Sequence, residues 1–253
     1  MTFDIGTAVN RTFGPAFRNP LTFFGIAALL VALSFALSFA VTGGALLAAG
    51  VGTGLTAGFG VGVLVALLVG IAVNAIAQGA LIHAALEAYR GRPVSIPAAL
   101  RGALPHFLPL VAINILLALG IGLGFVLLII PGLFLLVKWS ASVPARVSEG
   151  RGIIESFKRS WSLTEGAWWP IFGFIVLLAI GSLILSLVVS LPLSTLAATN
   201  PAGAGFGVSA VVAQLIVSTV QTVFGATAIA AIYYGLRQAK EGGDTAALEE
   251  TFA

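Results

Sequence analysis

Two stretches of this chain, residues 19–86 and 166–236, contain no Asp, Glu, Lys or Arg. A soluble domain spreads roughly 25% charged residues over its surface, whereas this chain of 253 residues is 8% charged and 59% hydrophobic. A third stretch, 102–145, holds one charge, Lys138. All the other charged side chains, from a total of 12 basic and 9 acidic, fall in four islands at 1–18, 87–101, 146–165 and 237–253. A water-facing globule is therefore excluded.

A helix needs about 20 apolar residues to cross ~30 Å of hydrocarbon, so each charge-free run holds two crossings and the run around Lys138 a tighter pair. The spans fall near Leu21–Val41, Val61–Leu81, Phe107–Leu128, Leu133–Val147, Trp169–Leu191 and Val208–Ile232. A β-barrel is disfavoured, because its strands alternate polar and apolar residues while Ile26–Leu33 and Val208–Ile216 are apolar on all sides. Lipid offers backbone groups no water, which leaves continuous helices. The expected fold is an all-α integral membrane protein of six transmembrane helices in three hairpins. Residues 1–237 form one membrane domain and 238–253 a flexible cytoplasmic tail. The run from Leu21 to Val41 exceeds the 7–15 residues of a signal-peptide core and follows a segment carrying Asp4, so it reads as a retained span.

Lys and Arg near span ends mark the cytoplasmic side. Every island falls on one side under this threading, and the opposite loops, Thr42–Gly60, Ile129–Gly132 and Pro192–Gly207, carry no charge. Both termini are expected in the cytoplasm. Tyr89, Tyr233, Tyr234, Trp161, Trp168 and Trp169 lie at the same ends, where amphipathic rings favour the headgroup layer. The net charge of +3 thus has a topological cause and points to no nucleic acid.

A degenerate repeat precedes the hairpins. Ile5, Val9 and Phe13, then Ile96, Leu100 and Leu104, then Ile153, Phe157 and Trp161 recur at i, i+4, i+8, which places each set on one helical face. Each set has a nearby Arg (Arg11, Arg101, Arg159) and is followed by a proline opening the next span (Pro20, Pro109, Pro170). The expected unit is a short amphipathic helix on the cytoplasmic leaflet followed by a hairpin. Ser95 is placed to cap the second surface helix, with Pro97 in its first turn. Glu155 and Arg159 form an i,i+4 pair on the third.

Lys138 is an ionisable residue inside a predicted span, a functional-site hypothesis by default; the alternative is a lysine whose stem snorkels along a short helix. Asn74 and Gln78, Asn114, and Gln214 with Gln221 are the buried amides. They either line a polar pathway around Lys138 or bond helix to helix. Pro131-Gly132 is expected to make an outer turn, and Pro144 to break the inner end of the fourth span. The clusters Gly58-Phe-Gly60-Val-Gly62 and Gly120-Ile-Gly122-Leu-Gly124 suit close helix packing. His83 has Glu87 at i+4, read as an interfacial contact. No Cys is present, no Ser–His–Asp set or carboxylate dyad falls within the spans, and neither a metal nor any other cofactor is implied. The expectation is a protein that is not an enzyme.

The run Pro131-Gly132-Leu133-Phe134-Leu135-Leu136-Val137-Lys138-Trp139-Ser140, then Pro144, Glu149-Gly150, Glu155-Ser156-Phe157, Arg159-Ser160-Trp161, Thr164-Glu165-Gly166 and Trp168-Trp169, resembles a bacterial membrane family. It is similar to the membrane domain attached to some glycerophosphodiester phosphodiesterases and to related multi-span inner-membrane proteins. The resemblance implies a bacterial plasma (inner) membrane location and a lipid-related setting. It carries over no catalytic residues, and the phosphodiesterase barrel is absent from this sequence. The first functional expectation is a lipid-associated or accessory membrane protein whose Arg11, Arg101, Lys158 and Arg159 meet the anionic headgroups of membrane lipids. Its alternative is a transporter or lipid translocator with a polar site near Lys138, and a third reading is an intramembrane lipid enzyme.

Overall fold

Asp4 opens the first helix by accepting hydrogen bonds from the Thr7 amide (2.7 Å) and hydroxyl (2.6 Å), which satisfies a donor left over at the helix start. A computed structural model of the chain describes residues 4–50, 56–199 and 204–251, which are helical almost throughout and contain no strand. In order come α1 (Ile5–Arg18), α2 (Pro20–Gly50), α3 (Thr56–Tyr89), α4 (Ile96–Ala103), a single 3₁₀ turn, α5 (Phe107–Leu127), α6 (Ile129–Lys138), α7 (Ser142–Glu149), α8 (Ile153–Thr164), α9 (Trp168–Thr199) and α10 (Ala204–Thr251). The three expected surface helices are α1, α4 and α8. Ser95 caps α4 through the Ala98 amide. Pro20 begins α2, while Pro109 and Pro170 sit in the first turns of α5 and α9, where a missing N–H costs nothing.

Five segments among the described residues are long and apolar enough to cross a bilayer: Pro20–Ala40, Leu67–Tyr89, Ile96–Leu127, Trp168–Pro192 and Ser209–Gly242. The predicted span Leu133–Val147 is not one of them, because the helix breaks at residues 139–141 into α6 and α7. Pro144 has no N–H for the Ser140 carbonyl, and its ring crowds that carbonyl. The ten residues of α6 reach only about 15 Å. The outer turn also differs from expectation. A single extended residue, Leu128, makes it, and Pro131 and Gly132 lie inside α6. Gly132 is needed there because a Cβ would stand 2.6 Å from the Phe125 ring, just as a Cβ on Gly124 would stand 2.9 Å from the Gly132 backbone. Close α5–α6 pairing thus rests on glycines, as the second glycine cluster suggested, although Gly122 faces open space. The contacts of Gly58, Gly60 and Gly62 lie outside the described residues.

Most of the two long loops expected at Thr42–Gly60 and Pro192–Gly207 is helical, since α2 runs to Gly50, α3 starts at Thr56, α9 runs to Thr199 and α10 starts at Ala204. Residues 51–55 and 200–203 fall outside the described ones. The segment 238–251, expected as a flexible tail, continues α10 to Thr251, in keeping with the helix-favouring run Ala246-Ala247-Leu248-Glu249-Glu250.

The core is built from small residues. Ala75, Ala77, Ala80, Ala84 and Ala85 on α3 and Ala226, Ala228, Ala230 and Ala231 on α10 are all buried, and small side chains let helix backbones approach closely where no hydrophobic force drives association. Large apolar side chains face outward instead: Leu29 and Leu33 on α2, Leu119 and Leu123 on α5, Leu177, Ile180 and Leu183 on α9. An exposed apolar surface of this extent marks a lipid-facing molecule. At one end of the bundle the charged islands converge: Tyr89 bonds the Arg11 carbonyl, Arg11 bonds Gln238, and Arg159 pairs with Glu149 and Glu241.

Candidate functional site

The break between α6 and α7 frees backbone groups, and serines take them up. Ser140 and Ser142 hydroxyls donate to the Val137 and Trp139 carbonyls, each at 2.8 Å. Ser160, reaching across from α8, donates to the Lys138 carbonyl (2.7 Å) and accepts from the Ala141 amide (3.1 Å). One buried hydroxyl therefore bridges both sides of the break. Ser156, Ser160 and Thr164 form the buried face of α8, so this helix docks by a small polar stripe and turns Ile154 and Trp161 outward. That i,i+4,i+8 spacing of hydroxyl residues is the sequence signal that reveals the docking face; a search for bulky apolar stripes passes over it.

Lys138 ends α6 and is 8% exposed. Its Nζ lies 5.0 Å from the Trp161 ring centroid and 5.8 Å from that of Phe134, a geometry in which ring quadrupoles attract a cation. No carboxylate pairs with it among the described residues. Of the two readings of the buried amides, a polar pathway around Lys138 or bonds from helix to helix, Gln221 follows the second. Gln221 donates to the Ser182 and Ser186 hydroxyls of α9 (2.8 and 2.9 Å), Gln214 donates to Ser218 on its own helix, and Asn74 is exposed. The amides diverge because they sit on faces of α3, α5 and α10 that spacing within each helix does not relate.

Two of them do meet. Gln78 and Asn114, with Trp139 and Ser140, line a cavity of about 300 Å³ between α3, α5, the α6–α7 break, α9 and α10, at the lower limit of ligand pockets. The rest of the lining is apolar. Asn114 uses its amide N–H on the Leu110 carbonyl (2.9 Å). The Trp139 ring closes one side by lying on Gly120, where a Cβ would come within 2.2 Å of it.

At the charged end Glu149 is the hub. It accepts from the Tyr233 hydroxyl (2.6 Å), Arg159 Nε (3.0 Å) and Arg151, while Arg159 also reaches Glu241, which pairs with Arg237. Burial alone would raise the Glu149 carboxyl; the Tyr233 hydroxyl and the two arginines outweigh it and hold the group below its usual range. Gly150, at φ +64°, terminates α7 and places Arg151 and Glu149 side by side. This network corrects the expected Glu155–Arg159 pair: Glu155 accepts the Gly152 amide at the start of α8 (3.1 Å). Likewise Glu87 pairs with Arg90 and Arg92, and His83 packs on Gly102. Of the expected headgroup contacts, Arg101 and Lys158 are exposed, Arg159 is held by two carboxylates, and Arg11 lies half-buried over the Tyr234 ring at 5.0 Å.

Residues 94–236 match the model of a family described as a domain of unknown function, DUF7847. No curated protein and no solved structure matches the chain.

Proposed function

This chain belongs to the DUF7847 family, and with that as premise we propose that it is a non-enzymatic, lipid-associated protein of the bacterial inner membrane. In this reading the charged end faces the cytoplasm, and the chain crosses six times as three hairpins, the fourth crossing being made by α6 and α7 with their break. One observation carries the lipid association. The helices α1 and α8, and the 3₁₀ turn that follows α4, turn bulky apolar side chains outward beside an exposed cation: Phe17 by Arg18, Leu104 by Arg101, Ile154 and Trp161 by Lys158. That combination suits a helix lying in the interface, with apolar groups among acyl chains and cations among anionic headgroups. A lipid-related setting, as the resemblance implies, is consistent with this role.

The test measures the ratio of anionic to zwitterionic lipid co-purifying with the chain in mild detergent. Enrichment of anionic lipid is expected, falling about fivefold for each cation removed in Arg101→Gln and Lys158→Gln. An unchanged ratio rejects the reading. The cavity holding Gln78 and Asn114 favours a second reading, a transporter or translocator with those amides at its site. Gln78→Leu then abolishes uptake or flipping in reconstituted vesicles; full activity would sink that site.

A further inference from the structure

A groove of about 740 Å³ lies at the charged end between α1 and the turn that follows α3. Three guanidinium groups, Arg11, Arg18 and Arg92, line it together with Asn10, Tyr89 and Tyr234, and its lining contains no carboxylate. The arginines are placed by separate devices. Arg11 bonds the neutral Gln238 side chain (2.5 Å), lies over the Tyr234 ring, and has its carbonyl tied to the Tyr89 hydroxyl (2.9 Å). Gly91, at φ +70°, turns the chain so that Arg92 enters the groove, and Arg92 shares its one acid, Glu87, with Arg90. Arg18 has no ion-pair partner among the described residues and closes α1. Positive charge in this groove therefore exceeds what the protein itself neutralises, and forked N–H donors of this kind match phosphate oxygens.

We infer that this groove binds one anionic phosphate group, and that its source is a lipid headgroup. Phe17 and Leu21, 66% and 87% exposed, flank Arg18 and offer acyl chains an apolar track that a soluble phosphate would not use. The inference rests on the lipid-associated reading and adds one discrete site to it.

The test is native mass spectrometry of the full chain titrated with phosphatidylglycerol, read as the affinity of the first lipid bound. Removing one arginine costs about fivefold; Arg18→Gln is expected to show that, and the triple variant Arg11→Gln, Arg18→Gln, Arg92→Gln a loss of about 100-fold. A control triple of equal charge change, Arg101→Gln, Arg151→Gln, Lys158→Gln, is expected to lower the number of later, weaker lipids and leave the first unchanged. Should the groove triple fail to fold, Arg18→Gln alone decides, since that side chain is exposed. Equal weakening of the first lipid by both triples overturns the groove while leaving the general lipid association intact. A wild-type chain that prefers phosphatidylcholine overturns both. Displacement of the first lipid by an equal concentration of inorganic phosphate upholds the phosphate site and overturns the lipid source.

Discussion

Glu149→Gln isolates one charge in the network that joins α7, α8 and α10. The carboxylate is 11% exposed and Arg159 17% exposed, with Nε–Oε1 at 3.0 Å. A charge-assisted hydrogen bond contributes about 1.5–3 kcal/mol and a solvent-exposed ion pair about 0–1 kcal/mol; this pair lies between the two. Glutamine keeps an acceptor for the Tyr233 hydroxyl, and Arg159 keeps Glu241, so the expected loss is about 2 kcal/mol, or roughly 4–8 °C in Tm at about 2–4 °C per kcal/mol for a chain of this size. The assay is thermal unfolding in detergent micelles followed by tryptophan emission, run as a double-mutant cycle with Arg159→Met. Residues in contact couple by about 0.5 kcal/mol or more. The sign with pH follows from the lowered carboxyl: its contribution is full above the unfolded value near 4.5 and is lost as pH falls through the lower folded-state value. Wild type and Glu149→Gln therefore differ near neutral pH and converge in acid. An additive cycle, or a gap that persists at about pH 2, refutes the reasoning.

Gly120→Ala drives a Cβ to within 2.2 Å of the Trp139 ring; overpacking of this kind costs about 1–3 kcal/mol, and a shift of the tryptophan emission maximum accompanies the lower Tm. Ser160→Ala leaves the Lys138 carbonyl and the Ala141 amide without their bridge, at about 1–3 kcal/mol for an orphaned buried group, measurable by the same unfolding assay and absent in Ser162→Ala. Lys138→Met changes stability by less than about 1 kcal/mol, because a cation–π contact is lost while a buried charge is replaced by an apolar chain of similar volume; a large loss of stability would show that Lys138 has a polar partner.

Much of the architecture is legible along the chain. Helices replace strands because lipid denies the backbone water, and the crossing at Trp168–Pro192 falls within a residue of expectation because charge stops where hydrocarbon starts, whereas the apolar segment expected from Phe107 already begins at Ile96. The short helices α1, α4 and α8 follow from periodicity and from caps such as Ser95. The predicted span Leu133–Val147 shows the limit. Pro144 announces a disturbance, but the position of the break at 139–141 depends on Ser160, a residue of another helix, accepting and donating where the backbone was opened. The amides show it too: Gln78 and Asn114 meet and Gln221 does not join them, since spacing along a helix sets a face and not the neighbour that face meets.

Charge placement by itself determined that the chain lives in a membrane and that its islands share one end, because the transfer of an ion into hydrocarbon is so unfavourable that it acts on each residue alone. Which cation serves which acid was decided only by the tertiary structure. Arg159 faces Glu155 one helical turn away in sequence, yet takes Glu149 and Glu241. Arg11, Arg18 and Arg92 come from two islands and share one groove. Pairing energies of about 1 kcal/mol are too small to be settled locally, so the packing of α1, α8 and α10 chose the partners.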